Sequence, residues 1–441
     1  MRHKMFGGIH PAARKESTRR KALARMEKEP EWVILPLDQG GGGTAKVLVR
    51  PGERVLVGQP VAREEGDGVP IHASVSGRVA AVEDQPHPWG GQYPAVVLQN
   101  DGRSTLYDAL PGPLALDTVT RAELIERVRE SGIVDMGGSG QPMWNRLEGA
   151  VGRADTLIID AMECEPYLSA DHRLMLDKGR AVMQTVRALT RTLGPERAVM
   201  VISGDKLNAV EAMERRLAMQ EKGRVELRTM AARYPLDSEK QIVQAVTGRE
   251  VPPGGEPADV NCLVVNVATV YAIGQCLLKG LPLVRRAVTV SGGAVSRPRN
   301  LWVPIGTPFH DLLKACDGLK EPAAQTLMGG PLRGIPQGDL NAPVLKTTDA
   351  LVCLAEWELP KPVPETVCIR CGKCVASCPM HLPPVLLYQA ARKKDWNRLP
   401  ALHPQDCIQC GCCTAVCPAR IPLSLLVRTL QKHLPEGGES A

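Results

Sequence analysis

Two short runs, CIRCGKCVASCP at 368–379 and CIQCGCCTAVCP at 407–418, hold nine of the fourteen cysteines. Each reads C-x2-C-x2-C-x3-C-P. Three thiolates from one tight loop can wrap a corner of an iron–sulfur cube, and in two-cluster modules the fourth cysteine crosses to the other cube. The spacing therefore assigns Cys368, Cys371, Cys374 and Cys417 to one [4Fe–4S] cluster, and Cys407, Cys410, Cys413 and Cys378 to a second. Gly372 and Gly411 let the backbone approach inorganic sulfide, and Pro379 and Pro418 turn the chain out of each loop. Structural zinc uses two C-x2-C pairs at longer separation and has no need of the C-x3-C-P tail. Cys412 is read as a packing thiol, and the five scattered cysteines as buried free thiols. Two cubes make a one-electron wire, which needs a source and a sink upstream.

What precedes the wire divides by hydrophobic pattern. After a basic segment (1–30), residues 31–111 read as short strands between Gly/Pro turns, as in a barrel-sandwich (hammerhead) domain. Its hairpin tip, Val75-Ser76-Gly77, lacks the lysine of a swinging-arm carrier, so the expectation is a structural domain. Residues 112–280 alternate strands such as TLIIDA and CLVVNV with helices near 174–193, 206–221 and 238–247, the signature of an α/β layer with a largely parallel sheet. Residues 281–358 return to strands and suggest a β-grasp domain. A Pro-rich linker, LPKPVPET, then leads to a helical two-cluster, ferredoxin-like domain at 367–441.

Residues 1–30 carry nine Lys or Arg against three Glu, which accounts for the whole net charge of +6. This segment is expected either to touch anionic lipid or an acidic partner, or to be a solvated tail. With no basic stripe interleaved with aromatics, nucleic acid is not an expected partner. No secretory signal or membrane span is expected: the most apolar stretch, 260–278, carries Asn261, Asn266, Thr269 and Gln275. A cytoplasmic protein meeting the membrane through partners is the reading.

Two further stretches carry chemistry. In SGIVDMGGSGQP (131–142), Gly137, Gly138 and Gly140 can bare N–H groups to a phosphate or admit a flat ring, though a plain turn reads as well. After TLIID, the turn AMECEP places Glu163 and Glu165 at a strand end, where carboxylates can accept from ribose hydroxyls or a flavin edge; a capped loop before a helix near Asp171 is the alternative.

In chain order, FGGIHP (6–11), GGSGQP, ECEPY (163–167), YPLDSEKQ (234–241), GREVPPGG (248–255), NVATVYAI (266–273), VTVSGGAV (288–295), GGPLRG (329–334) and the cysteine runs resemble the C subunit of the Rnf electron-transport complex. The α/β region is similar to the NADH-oxidising flavoprotein subunit of respiratory complex I. Microcompartment cobalamin reductases share these domains and are a weaker match. The resemblance implies FMN, NADH as hydride donor, and electrons passing through the two clusters to membrane subunits and ferredoxin, on the cytoplasmic side of the cell membrane. It also implies contacts to the flavin or nucleotide from Gly137, Gly138, Gly140, Glu163, Glu165, Pro166, Asn266 and Thr269. No side-chain acid or base is required. The chain departs from the family at this site: Asp135 replaces a glycine, Gln141 an aromatic, Met143 a threonine, Asp160 an asparagine and Ser203 a glutamate, while Arg146 keeps a basic charge. Asp135 and Asp160 add negative charge where an anionic cofactor would sit. A flavin-less iron–sulfur electron-transfer and docking subunit is therefore a second reading.

Overall fold

A computed structural model describes residues 5–39, 45–64, 66, 68–218, 225–361 and 363–433. At its centre is a parallel sheet of four strands in the order Val225–Met230, Arg197–Ser203, Thr156–Ala161, Cys262–Asn266. Strands of a parallel sheet covered on both faces need near-continuous apolar runs, and Thr156–Ala161 and Cys262–Asn266 are buried throughout. Alternate side chains serve opposite cores. Leu157, Ile159, Met200 and Val265 face the helices Ala170–Leu193, Leu207–Ala218 and Val267–Lys279. Ile158, Val199, Val201 and Val264 pack on Glu239–Thr247. The long helices start and stop where the sequence expects them, within a few residues. Helix Val267–Lys279 is capped by the Asn266 side chain accepting from Ala268 N and ends at Gly280, whose φ of 66° needs glycine.

Before it lies a pair of antiparallel sheets, Trp32–Pro36/Gln92–Asn100/Gly77–Pro86/Arg54–Val55 and Ala45–Val47/Pro60–Glu64/Pro70–His72. The hairpin tip is no arm. Val75, Ser76 and Gly77 are buried, Ser76 Oγ donates to Asp101 Oδ1 (2.6 Å), and a Cβ at Gly77 would fall 1.8 Å from Gln99 O. After the α/β region, five strands between Arg285 and Leu354 form most of a six-stranded mixed sheet.

That sheet takes its edge strand, Ala24–Arg25, from the basic N-terminal segment. The expectation of a solvated tail is therefore corrected. Lys15 and Thr18 are almost fully buried, and Gly7 and Gly8 lie against Cys378 and Tyr234. The physical reason is a long-range contact: the Lys15 ammonium donates to the buried Glu163 carbonyl and faces its carboxylate, partners that a tail would lack. Arg14, Arg20, Lys21 and Arg25 stay exposed.

In the cysteine module two one-turn helices, Lys373–Ala376 and Cys412–Ala415, each follow a left-handed glycine, Gly372 (φ 75°) and Gly411 (φ 76°). Helices Pro384–Arg392 and Leu423–His433 bury Leu387, Ala390, Val427 and Leu430 between them. Among the described residues no helix is long and apolar enough to cross a membrane.

Candidate functional site

The cysteine loops build two thiol-lined cavities. One is lined by Cys368, Cys371, Cys374 and Cys417, with Ile369, Arg370 and Lys373 at its rim. It is roomy, about 440 Å³, and Cys371 is exposed. The other is narrow, about 20 Å³, and is lined by Cys378, Cys407, Cys410 and Cys413 among Leu382, Leu387, Ile408 and Val427. Cys412, fully buried, lines this second cavity beside Cys410. All fourteen cysteines are free thiols. Among the described residues no group of three Cys, His, Asp or Glu closes on one point, as a single zinc ion requires. Four thiols spaced round a cavity fit a cube, whose four iron corners each take one thiolate.

The second cavity is seated on the α/β layer. Gly8 N donates to Ser377 O (2.8 Å), and a Cβ on Gly7 would come within 2.5 Å of Cys378 O. Ile9 bridges Tyr234, and the buried Tyr234 hydroxyl donates to Cys410 O (2.6 Å). Gln241 Nε2 donates to Pro379 O (3.1 Å), and Gly411 sits against Leu332. FGGIHP and YPLDSEKQ, known from sequence only as points of resemblance, are the clamp that orients the second thiol set.

Beneath that clamp, at the carboxyl ends of the parallel strands, lies the glycine loop and acidic turn. Ligands of open α/β sheets bind at this edge. Asp160 and Asn266 face each other across adjacent strands. Gly137, Glu163, Glu165 and Asn266 line one cavity with Asp160, Asp171, Asp237, Arg286, Arg333 and Asp349. Gly138, Gly140, Pro166 and Thr269 are near in the chain but do not line it. Thr269 Oγ1 accepts from Met136 N (2.9 Å), which ties the loop to the helix. Gln141 is exposed, whereas Met143 and Ser203 are buried.

Charges of the glycine loop beside this cavity and of the cavity wall are answered from within the chain. Asp135 accepts from Gly137 N (3.2 Å), Ser139 N (3.2 Å) and Ser139 Oγ (2.7 Å), with Arg146 at 3.6 Å; Arg146 also pairs with Glu239. Glu163 Oε1 accepts from Asp171 N (2.8 Å), and Oε2 faces Lys15 and Lys206 at 3.7 and 4.0 Å. Glu165 accepts from Leu332 N (3.2 Å) and Arg333 N (2.9 Å) in the GGPLRG loop, and Arg333 reaches Asp237 (2.7 Å). Asn266 donates to Asp171 (3.0 Å). Burial drives the Glu165 and Asp171 carboxyls up to about 7, and Asp160 well above the usual carboxylate range, helped by nearby Asp237. Sequence reasoning missed Lys15, Arg286, Arg333, Asp237 and Asp349, because each comes from a distant segment; the GGPLRG and YPLDSEKQ stretches were the only signal.

Four domain families match the chain. Residues 3–103 match the RnfC barrel sandwich hybrid domain, 128–275 the Nuo51 FMN-binding domain, 287–336 the SLBB domain, and 367–421 the 4Fe-4S dicluster domain. Curated relatives align over most of it. The C subunit of the Na+-translocating ferredoxin:NAD+ oxidoreductase complex of Acetobacterium woodii is 35% identical over 90% of each chain. The proton-translocating counterpart of Clostridium ljungdahlii is 36% identical over 89% of this chain and 87% of that one. The C subunit of the ion-translocating oxidoreductase complex of Edwardsiella ictaluri is 38% identical over 91% of this chain but only 50% of its own length.

Proposed function

Because the chain belongs to the family of C subunits of ion-translocating (Rnf-type) oxidoreductase complexes, we propose that it is the peripheral electron-transfer subunit of such a complex, on the cytoplasmic face of the cell membrane. Cys368, Cys371, Cys374 and Cys417 hold one [4Fe–4S] cluster, and Cys378, Cys407, Cys410 and Cys413 hold the other. Each bound cluster accepts or gives a single electron. The observation that carries the reading is the pair of cavities: one is lined by three thiols of the first run with Cys417 of the second, the other by Cys407, Cys410, Cys412 and Cys413 of the second run with Cys378 of the first.

The chain's own residues set the route. Apolar Leu382, Leu387 and Val427 shield the second thiol set, and Tyr234 with the FGGIHP segment fixes its loop. The first set opens to solvent at Cys371, flanked by exposed Val367 and Ile369 and by Arg370 and Lys373. It is the port for a one-electron partner, ferredoxin or another subunit of the complex. The relatives' complexes link ferredoxin to NAD+ by name, and we assign this chain a relay step within that reaction. The test is iron and acid-labile sulfide analysis of the anaerobically purified chain. About eight of each are expected from two cubes; material with four or fewer of each would overturn the reading.

A further inference from the structure

The α/β region is of the FMN-binding type, and the residues that would hold FMN are the glycine loop 137–140, Glu163, Glu165 and Asn266. They do not fit it. A phosphate-bearing ligand at such an edge is held by loop N–H groups left free to donate. Here Gly137 N and Ser139 N already donate to the Asp135 carboxylate, so these donors of the loop are taken by an anion of the chain itself. Arg146, the nearest cation, is shared between Asp135 and Glu239. Glu165, suited to accept from a ligand, is occupied by the backbone of Leu332 and Arg333, and a single added Cβ on Gly330 would lie 2.2 Å from its Oε2. Glu163 is spanned by Lys15, Lys206 and Asp171 N.

The side chains that line the space are six carboxylates, Asp160, Glu163, Glu165, Asp171, Asp237 and Asp349, against Arg286 and Arg333. Glu163 Oε2 and Asp237 Oδ1, fully buried carboxylate oxygens here that lack a hydrogen-bond partner among the described residues, are acceptors, which repel a phosphate. The space is about 40 Å³, whereas pockets for ligands of this size run to roughly 300–1,000 Å³. The narrow thiol cavity differs in kind: its walls are thiols and mostly aliphatic side chains with no charged group among them, while these walls are tied to one another by ion pairs and backbone donors.

We propose that the flavin cradle of this chain has become a self-paired polar joint, with Asp135 as an internal anion in the glycine loop, and that the chain binds no flavin nucleotide. It joins the GGPLRG loop and the N-terminal segment to the sheet and so supports the second thiol set from below. Electrons then enter as they leave, one at a time: a reduced one-electron carrier is oxidised, and one [4Fe–4S]²⁺ cluster becomes [4Fe–4S]⁺, with no hydride and no proton transferred. This rests on the two-cluster reading, and the experiment separates the two. The anaerobic full-length chain is assayed for iron and sulfide, for bound flavin, and by FMN titration followed through flavin fluorescence and melting temperature. Expected are full clusters that dithionite bleaches, no retained flavin, no saturable quenching and no rise in melting temperature with FMN, and no bleaching by NADH even with FMN added. Stoichiometric flavin, or saturable binding with a melting-temperature rise, overturns the proposal and leaves the clusters standing; deficient iron and sulfide count against the two-cluster reading instead.

Discussion

At the scale of single residues, the thiols and the buried carboxylates behave oppositely. A thiol set works by being unpaired, so removing one member is specific. Cys378 comes from the first run yet lines the cavity of the second. Cys378→Ser should abolish the EPR signal of the cluster held by Cys407, Cys410 and Cys413 and spare the other; loss of only the first-set signal would break the crossed assignment. The carboxylates work by being paired or protonated. Asp171 is held near 7 chiefly by burial and next by Glu163. Its ordinary value is 3.8, so between about pH 4 and 7 the unfolded chain gives up a proton that the folded chain keeps. That side chain's contribution to stability therefore falls as pH rises through this window and is at its worst above 7. Asp171→Asn should lose this slope: its stability relative to the native chain should improve between pH 5.5 and 8 in paired urea unfolding curves. A relative stability that stays constant from pH 5.5 to 8 would show that Asp171 is already ionised in the fold at pH 5.5.

At the scale of elements, the short segments that clamp the module are as consequential as the long helices. Gly7 has φ 58° and no room for a side chain beside Cys378 O. Gly7→Ala meets both a left-handed backbone penalty of about 1 kcal/mol and a steric clash. The segment should lift from the module, so that limited proteolysis near 359–366 accelerates and the second cluster is lost faster in air. Thr120 offers a plain comparison: its hydroxyl caps helix Arg121–Glu130 and Glu123 returns the bond. Thr120→Ala should cost about 1 kcal/mol in chemical unfolding and leave both clusters intact. The contrast also shows what was legible in the sequence. Helix Arg121–Glu130, the long helix Ala170–Leu193 and the two cysteine runs are written in spacings of three or four residues. The pairs Lys15 with Glu163 and Glu165 with Arg333 join segments more than 140 residues apart. Nothing local to Lys15 separates it from the exposed Arg14, which is why a solvated tail stood among the readings of the basic segment.

For the whole molecule, the two thiol sets differ most in what surrounds them. The second is enclosed by the FGGIHP segment, Tyr234, the Leu332 loop and the paired helices. The first has Cys371 exposed, with exposed Val367 and Ile369 beside it. If electrons run between an enclosed station and an open one, the open cluster must be the one that small solutes reach first. Brief ferricyanide or chelator treatment of the anaerobic chain should remove the first-set EPR signal well before the second, and the Gly7→Ala chain should narrow that gap by unshielding the second set. Cationic Arg370 and Lys373 at the open rim add a further expectation: reduction of the first cluster by an acidic protein donor should slow as salt rises, because the Debye length shrinks from about 10 Å at 0.1 M to about 3 Å at 1 M. Reduction by a neutral small-molecule donor should not. A salt-independent rate with the acidic donor would move the port away from this face, and equal loss of both clusters to the oxidant would remove the difference in exposure that marks the first set as the port.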